Sequence, residues 1–276
     1  MFKSNLNFSR ISENSIMKFN QQETLNSFNI ALNTKLKEYN GSSETTRANS
    51  FNEWLAGLID AAGCFYISKY NNISCEITLC SKEVKALYKI KEKFHGSVSK
   101  SQTSNLFRWR LHKKEHLIFL LKTINGYIYL KIENFKKILD LFNIEFKQYD
   151  FSIKNAWFSG FFDGAGHVNL NKNNFQIIIS ITQKERLVLD LINKTFNGFL
   201  VFDKFLKSFI WYVSLEKDLW LLFEYFILNS LKSDKNTDIV SAMRFFRYKL
   251  KKYHLNQSKY LKLNHFITLF QKRKKI

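Results

Sequence analysis

Two aspartates and two lysines stand at matched places along this chain of 276 residues. Asp60 lies in Trp54-Leu55-Ala56-Gly57-Leu58-Ile59-Asp60-Ala61-Ala62-Gly63, and Asp163 lies in Trp157-Phe158-Ser159-Gly160-Phe161-Phe162-Asp163-Gly164-Ala165-Gly166, 103 positions later. Lys131 matches Lys235 at a slightly larger offset. Carboxylate oxygens are the hard ligands a magnesium ion takes, and a lysine ammonium is a point charge that grips phosphate. Ala62 and Ala165, two positions after the aspartates, offer a cation nothing.

The repeat runs well beyond these segments. Trp54, Gly57, Asp60, Ala62 and Gly63 recur as Trp157, Gly160, Asp163, Ala165 and Gly166; Lys82-Glu83 recurs as Lys184-Glu185, Phe94-His95-Gly96 as Phe196-Asn197-Gly198, and Trp109 as Trp211. Landmarks in one order at a nearly constant offset mark a duplicated unit. The first segment resembles, almost letter for letter, the signature of the LAGLIDADG homing endonucleases, and the resemblance covers residues 51 to about 254.

The elements that must position these residues read alike in both copies. Each motif is apolar, rich in small residues and free of breakers until its last glycine, as suits a buried helix ending at Gly63 or Gly166. Gly57 and Ala61 lie one turn apart, as do Gly160 and Gly164, so two such helices can approach closely across a pseudo-twofold axis. Cys64 to Lys69 alternates as a half-buried strand, Glu76 to Cys80 as a second. Val84 to Ile90 switches to helical period, a third strand follows Gly96, Phe107 to Leu111 makes a fourth, and two helices complete the unit. The expected class is α+β, with two αββαββα units forming saddle-shaped antiparallel sheets and the motif helices packed at the pseudo-dyad. The boundaries read as a polar extension over 1–50, first unit 51–149, second unit 150–254 and basic tail 255–276. Within the extension only Leu25, Phe28, Leu32 and Leu36 form a helical stripe, and its few acids allow a cleaved presequence.

The resemblance implies phosphodiester hydrolysis of the two-metal kind, with one carboxylate from the eighth residue of each motif converging beside the dyad. Those eighth residues are Ala62 and Ala165, so no intact catalytic set and no cofactor is expected; magnesium would belong only to an acid-restored form. Asp60 and Asp163 face another side of the helix, and the family's pattern makes them structural. Lys131 and Lys235 match basic residues that the family places near the cleavage site, and they either grip phosphate or simply open helices. The proline that often leads into that lysine is absent from Ile124 to Leu130 and from Ile227 to Leu231.

Composition bounds the partners. The chain carries 43 Lys and Arg against 23 Asp and Glu, a formal net charge of +20. Such an excess points to a polyanion. No apolar run approaches the roughly 18 residues a bilayer-spanning helix needs. The three cysteines, Cys64, Cys75 and Cys80, lack zinc spacing and suggest no disulfide framework. Proline is absent where average usage predicts about 14, and Phe, Lys, Asn and Ile abound. This bias suggests an AT-rich, organellar coding sequence, with the mitochondrion ahead of the chloroplast.

If Phe65, Ile67, Ile77 and Leu79 face the helices, alternation puts Tyr66, Ser68, Thr78 and Cys80 on the open face of the first sheet. Lys69 adds charge at the strand's end, and Arg108, Arg110 and His112 share that face. His167, Asn169, Asn171, Ser180 and Thr182, with Ile210, Tyr212 and Ser214, form its counterpart. Asn and Arg on such a face are suited to read base edges, grip backbone or stack on bases, the alternative being that these strand positions are simply solvated. Two function classes stay open. One is a non-cleaving protein that binds structured RNA in preference to DNA, as an intron maturase or a mitoribosomal component beside ribosomal proteins, monomeric with an internal pseudo-twofold. The other is a site-specific DNA endonuclease whose two acids were replaced by alanine.

Overall fold

The computed structural model describes residues 44–70, 72–171 and 173–275. The stripe from Leu25 to Leu36 falls outside them. Helices are α1 (Glu44–Ala62), α2 (Val84–Phe94), α3 (Lys114–Ile124), α4 (Ile132–Leu141), α5 (Trp157–Ala165), α6 (Leu187–Phe196), α7 (Glu216–Leu228), α8 (Lys235–Leu250) and α9 (Gln257–Lys275). Strands are β1 (Gly63–Ile67), β2 (Ile73–Cys80), β3 (Ser97–Lys100), β4 (Leu106–Leu111), β5 (Gly166–Asn171), β6 (Gln176–Gln183), β7 (Phe199–Asp203) and β8 (Ser208–Val213). They form two four-stranded antiparallel sheets, ordered β1-β2-β4-β3 and β5-β6-β8-β7. The expected α+β class is present, and the two sheets share one strand order. Helix α1 begins at Glu44, inside the segment read as a polar extension.

Alternation decides which residues make the core. On β1 and β2, Phe65, Ile77 and Leu79 are buried against the helices while Tyr66 stands out. Trp109 on β4 and Trp211 on β8 are fully buried, and each donates its indole N–H to a turn carbonyl, His95 O at 2.7 Å and Asn197 O at 2.8 Å. Gly96 and Gly198 follow those turn residues with φ of +83° and +111°, a region open to glycine and strained for other residues. The recurring Trp and Asn/His-Gly landmarks are therefore one device used twice, locking the exit of α2 or α6 onto its sheet.

The two motif helices α1 and α5 meet backbone to backbone. A Cβ added at Gly57 would lie 1.9 Å from Trp157 O, and one at Gly160 would lie 1.7 Å from Trp54 O. At Gly164 it would meet the Ala61 Cβ at 2.4 Å. The spacing read from the sequence is thus a steric requirement.

Two buried carboxylates bolt this helix pair to both halves. Asp60 accepts hydrogen bonds from Tyr129 N at 2.7 Å, Lys131 N at 3.1 Å and the Trp157 indole of the opposite helix at 3.1 Å. Asp163 accepts from Lys232 N at 2.8 Å, from the Ser233 hydroxyl and from the Trp54 indole at 2.7 Å. Each aspartate therefore joins its own helix, the tryptophan of the other helix, and the start of the last helix in its own unit. Burial raises Asp163 and pushes Asp60 up to about 6, against the lowering effect of the amide donors and Lys131.

The basic tail forms α9, which buries Leu263, Ile267 and Phe270. These residues are spaced by four and three, so they share one helix face. Tyr260 sets its ring edge-on against Phe175 at the β5–β6 turn. At its other end Arg273 and Lys274 both pair with buried Asp238 of α8. Lys82, from the first unit, donates to Arg273 O at 3.3 Å and Lys274 O at 3.1 Å. Cations at a helix C-terminus meet its exposed carbonyls favourably, so part of the terminal charge run is structural.

Two outcomes follow for stability. Gly57→Ala and Gly160→Ala should each lower the unfolding free energy by about 3 kcal/mol, the upper end of the overpacking range, because the obstacle is backbone; urea denaturation measures it. Asp60 titrates higher folded than unfolded, so the folded state holds the extra proton between about pH 4 and pH 6. Its contribution to stability is therefore greatest below that window and declines as pH rises through it. Subtracting the pH–stability curve of Asp60→Asn from that of the unsubstituted protein should expose a fall of roughly 3 kcal/mol across it. A flat difference curve would refute the assignment.

Candidate nucleic-acid interface

The motif helices end at Ala62 and Ala165, and two carbonyls in the last turn of each are already occupied. Lys131 donates its ammonium to Ile59 O at 2.7 Å and to Asp60 O. Lys235 donates to Asp163 O at 2.6 Å and Phe162 O at 3.4 Å, and pairs with Glu83 of the first unit at 2.8 Å. Glu185, the repeat partner of Glu83, supplies negative charge near Lys131, whose pKa burial lowers. The two lysines thus staple the C-terminal carbonyls of the motif helices. The sequence offered phosphate contact or helix starts, and the geometry adds this third role.

Nothing here suits a divalent cation. Ala62 and Ala165, the positions where the resemblance implies oxygen ligands, present methyl groups. Asp60 and Asp163 are buried, Asp60 accepting from three N–H donors and Asp163 from N–H donors and the Ser233 hydroxyl. Glu83 is held by Lys235 and receives the Cys80 thiol at 3.3 Å. Among the described residues no group of three or more His, Cys, Asp or Glu could hold a metal ion.

The open face of the first sheet gathers most of the residues read from its alternation. Arg108 and Arg110 are exposed and both reach Glu76, at 3.4 and 2.7 Å. The pairing of Glu76 with Arg110 and of Thr78 with Arg108 across β2 and β4 explains this. The sequence placed Glu76 in the strand and missed its role: one buried carboxylate orients two guanidinium groups and leaves a net positive charge. Tyr66 points outward on β1, while Lys69 sits in the turn beyond it and His112 just past β4. Ser68 also falls beyond β1. Its hydroxyl accepts from Tyr70 N at 3.3 Å and Asn72 N at 3.0 Å, closing the hairpin.

On the second sheet His167, Asn169, Ser180 and Thr182 lie on the open face. Asn171 uses its carbonyl oxygen to order the next turn, accepting from Asn173 N at 2.9 Å. Ser214 lies one residue beyond β8. Desolvation, with the charges of Lys235 and Lys274, holds the His167 imidazole below its ordinary pKa. That favours the neutral imidazole, which can both donate and accept. The two halves of the saddle differ in character, with paired arginines on one and neutral amides, hydroxyls and aromatics on the other.

Comparison with known proteins agrees with this architecture. The family model described as "LAGLIDADG endonuclease" matches residues 55–142. The chain is 40% identical over 162 residues to the intron-encoded RNA maturase bI4 of Saccharomyces cerevisiae, covering 56% of this chain and 25% of that protein. It is 31% identical over 199 residues to the intron-encoded DNA endonuclease ai2b of Dictyostelium discoideum, covering 67% of this chain and 75% of that protein. The I-LtrWI LAGLIDADG homing endonuclease, solved bound to its target DNA, superposes with a TM-score of 0.65 at 15% identity, over 80% of this chain and 97% of that one. A duplicated fold built around two reciprocal motif helices, matched over three quarters of a relative at this identity, places the chain in the LAGLIDADG endonuclease family.

Proposed function

We propose that this chain is a non-cleaving member of the family that binds structured RNA, in the manner of an intron maturase. The observation that carries the reading is the chemistry at the dyad. The helix ends hold methyl groups where hydrolysis needs carboxylates, Asp60 and Asp163 are engaged by N–H and O–H donors, and Glu83 is paired with Lys235. Duplication, helix packing and the basic first face are nonetheless intact, as a binding role requires. The charge of +20 supports a polyanionic partner, and the similarity to a yeast RNA maturase over 56% of the chain favours RNA. The composition bias supports a mitochondrial setting. A mitoribosomal component bound to ribosomal RNA is the same chemistry at another address.

Duplex DNA is the second reading, favoured by likeness to a relative named as a DNA endonuclease and to a structure bound to target DNA. Incubation with Mg²⁺ should leave both RNA and duplex DNA uncut, while the protein retains RNA in a filter-binding assay. Nicking that Ala62→Asp leaves unchanged would overturn the non-cleaving assignment, because activity would then run through a centre unrelated to the motif helices.

A further inference from the structure

The duplication supplies an internal control for the open faces. The buried tryptophans Trp109 and Trp211 fix the correspondence, so Arg108 and Arg110 on β4 correspond to Ile210 and Tyr212 on β8. Their neighbours on the adjacent strand are Ser99 and Ser97 in the first unit, and Val201 and Phe199 in the second. Glu76, which orients both arginines, is replaced by Ser180, the residue paired with Tyr212. At the same places on the same fold, a charged polar surface has become an aromatic and aliphatic one.

That surface is organised, half-buried at Phe199, Ile210 and Tyr212 and open at its edge. Phe199 and Tyr212 stack with ring centroids 5.3 Å apart and planes at 25°, beside Val201, which is 43% exposed. The adjoining turn continues the theme. Asp203 accepts from Phe205 N at 2.8 Å and Leu206 N at 2.9 Å, and Phe205 projects 88% exposed between Lys204 and Lys207. The corresponding turn of the first unit is Ser101-Gln102-Thr103-Ser104-Asn105.

We propose that the β7–β8 face is a stacking platform for unpaired nucleobases of an RNA whose backbone phosphates are gripped by Arg108 and Arg110 on the first sheet. The assignment rests on the RNA reading above. Every base offers a π-face to an aromatic side chain, whatever its sequence, whereas paired bases in an A-form helix are shielded from it. Lysines beside exposed aromatics favour a polyanion with apolar faces over a neutral protein surface. Arg108 and Arg110 thus carry the salt-dependent part of binding, and Phe199 and Tyr212 the part that senses unpaired bases.

The test uses the full chain and two fluorescein-labelled RNAs, a stem closed by a loop containing 5-iodouridine and the same stem as a blunt duplex. The unsubstituted protein should prefer the looped stem by about tenfold or more, the scale of losing one or two stacked bases. It should also crosslink the loop at Phe199 or Tyr212, read by mass spectrometry. Phe199→Ala combined with Tyr212→Ala should bring the preference close to one, with thermal unfolding followed alongside to establish that the sheet is formed. Arg108→Ala should weaken both RNAs by a similar factor and lower the salt dependence. Loop RNA bound equally tightly by the double variant, or crosslinked elsewhere, overturns the platform while leaving RNA binding standing. Failure of the unsubstituted protein to bind either RNA, with duplex DNA bound instead, overturns the reading beneath it.

Discussion

Close approach of two helix backbones at the pseudo-dyad is the constraint on which the rest of this molecule depends. Gly57 and Gly160 leave no room for a side chain, and at that separation the indoles of Trp54 and Trp157 can each cross to the aspartate of the opposite helix. Each aspartate in turn fixes the helix-to-helix loop that carries Lys131 or Lys232 and Ser233. The sheets follow directly from the helix ends, since β1 and β5 begin at the residue after each motif helix. Their mutual placement, and so the shape of the saddle, is set by that helix pair.

The same geometry separates structure from chemistry. In each motif the residue that holds the halves together and the residue that would hold a cation are two positions apart, on different helix faces. A methyl group at the eighth position therefore leaves the aspartate's contacts in place, whereas losing the aspartate would remove bonds to both halves. With Ala62 and Ala165 in place, the close helix approach, the crossing indoles and the buried aspartates are all present. The dyad is further closed electrostatically, with Lys131 and Lys235 drawn onto helix carbonyls and Glu83 of one unit tied to Lys235 of the other.

Much of this was legible in the residues. The repeat fixed the unit, alternation fixed the strand faces, and the small residues at one-turn spacing marked the helix contact. Interactions between residues far apart in sequence were not legible. No local pattern shows that Trp54 belongs with Asp163 or that Glu76 orients two arginines, because each depends on a crossing or a strand pairing that only the fold creates. Local spacing also overextended the strands at Ser68 and Ser214, where turn geometry ends them. The terminal lysines read as a charge run, although Leu263, Ile267 and Phe270 do carry a helical stripe that signals a packed helix.

The most direct measurement is to purify the protein natively from its source, crosslink it with ultraviolet light, and sequence the nucleic acid it holds. The account predicts RNA, crosslinked at one dominant structured position, in an intron for a maturase or in ribosomal RNA for a ribosomal component. Recovery of a discrete duplex DNA site with little RNA would contradict it and return the chain to the site-specific DNA binders of its family.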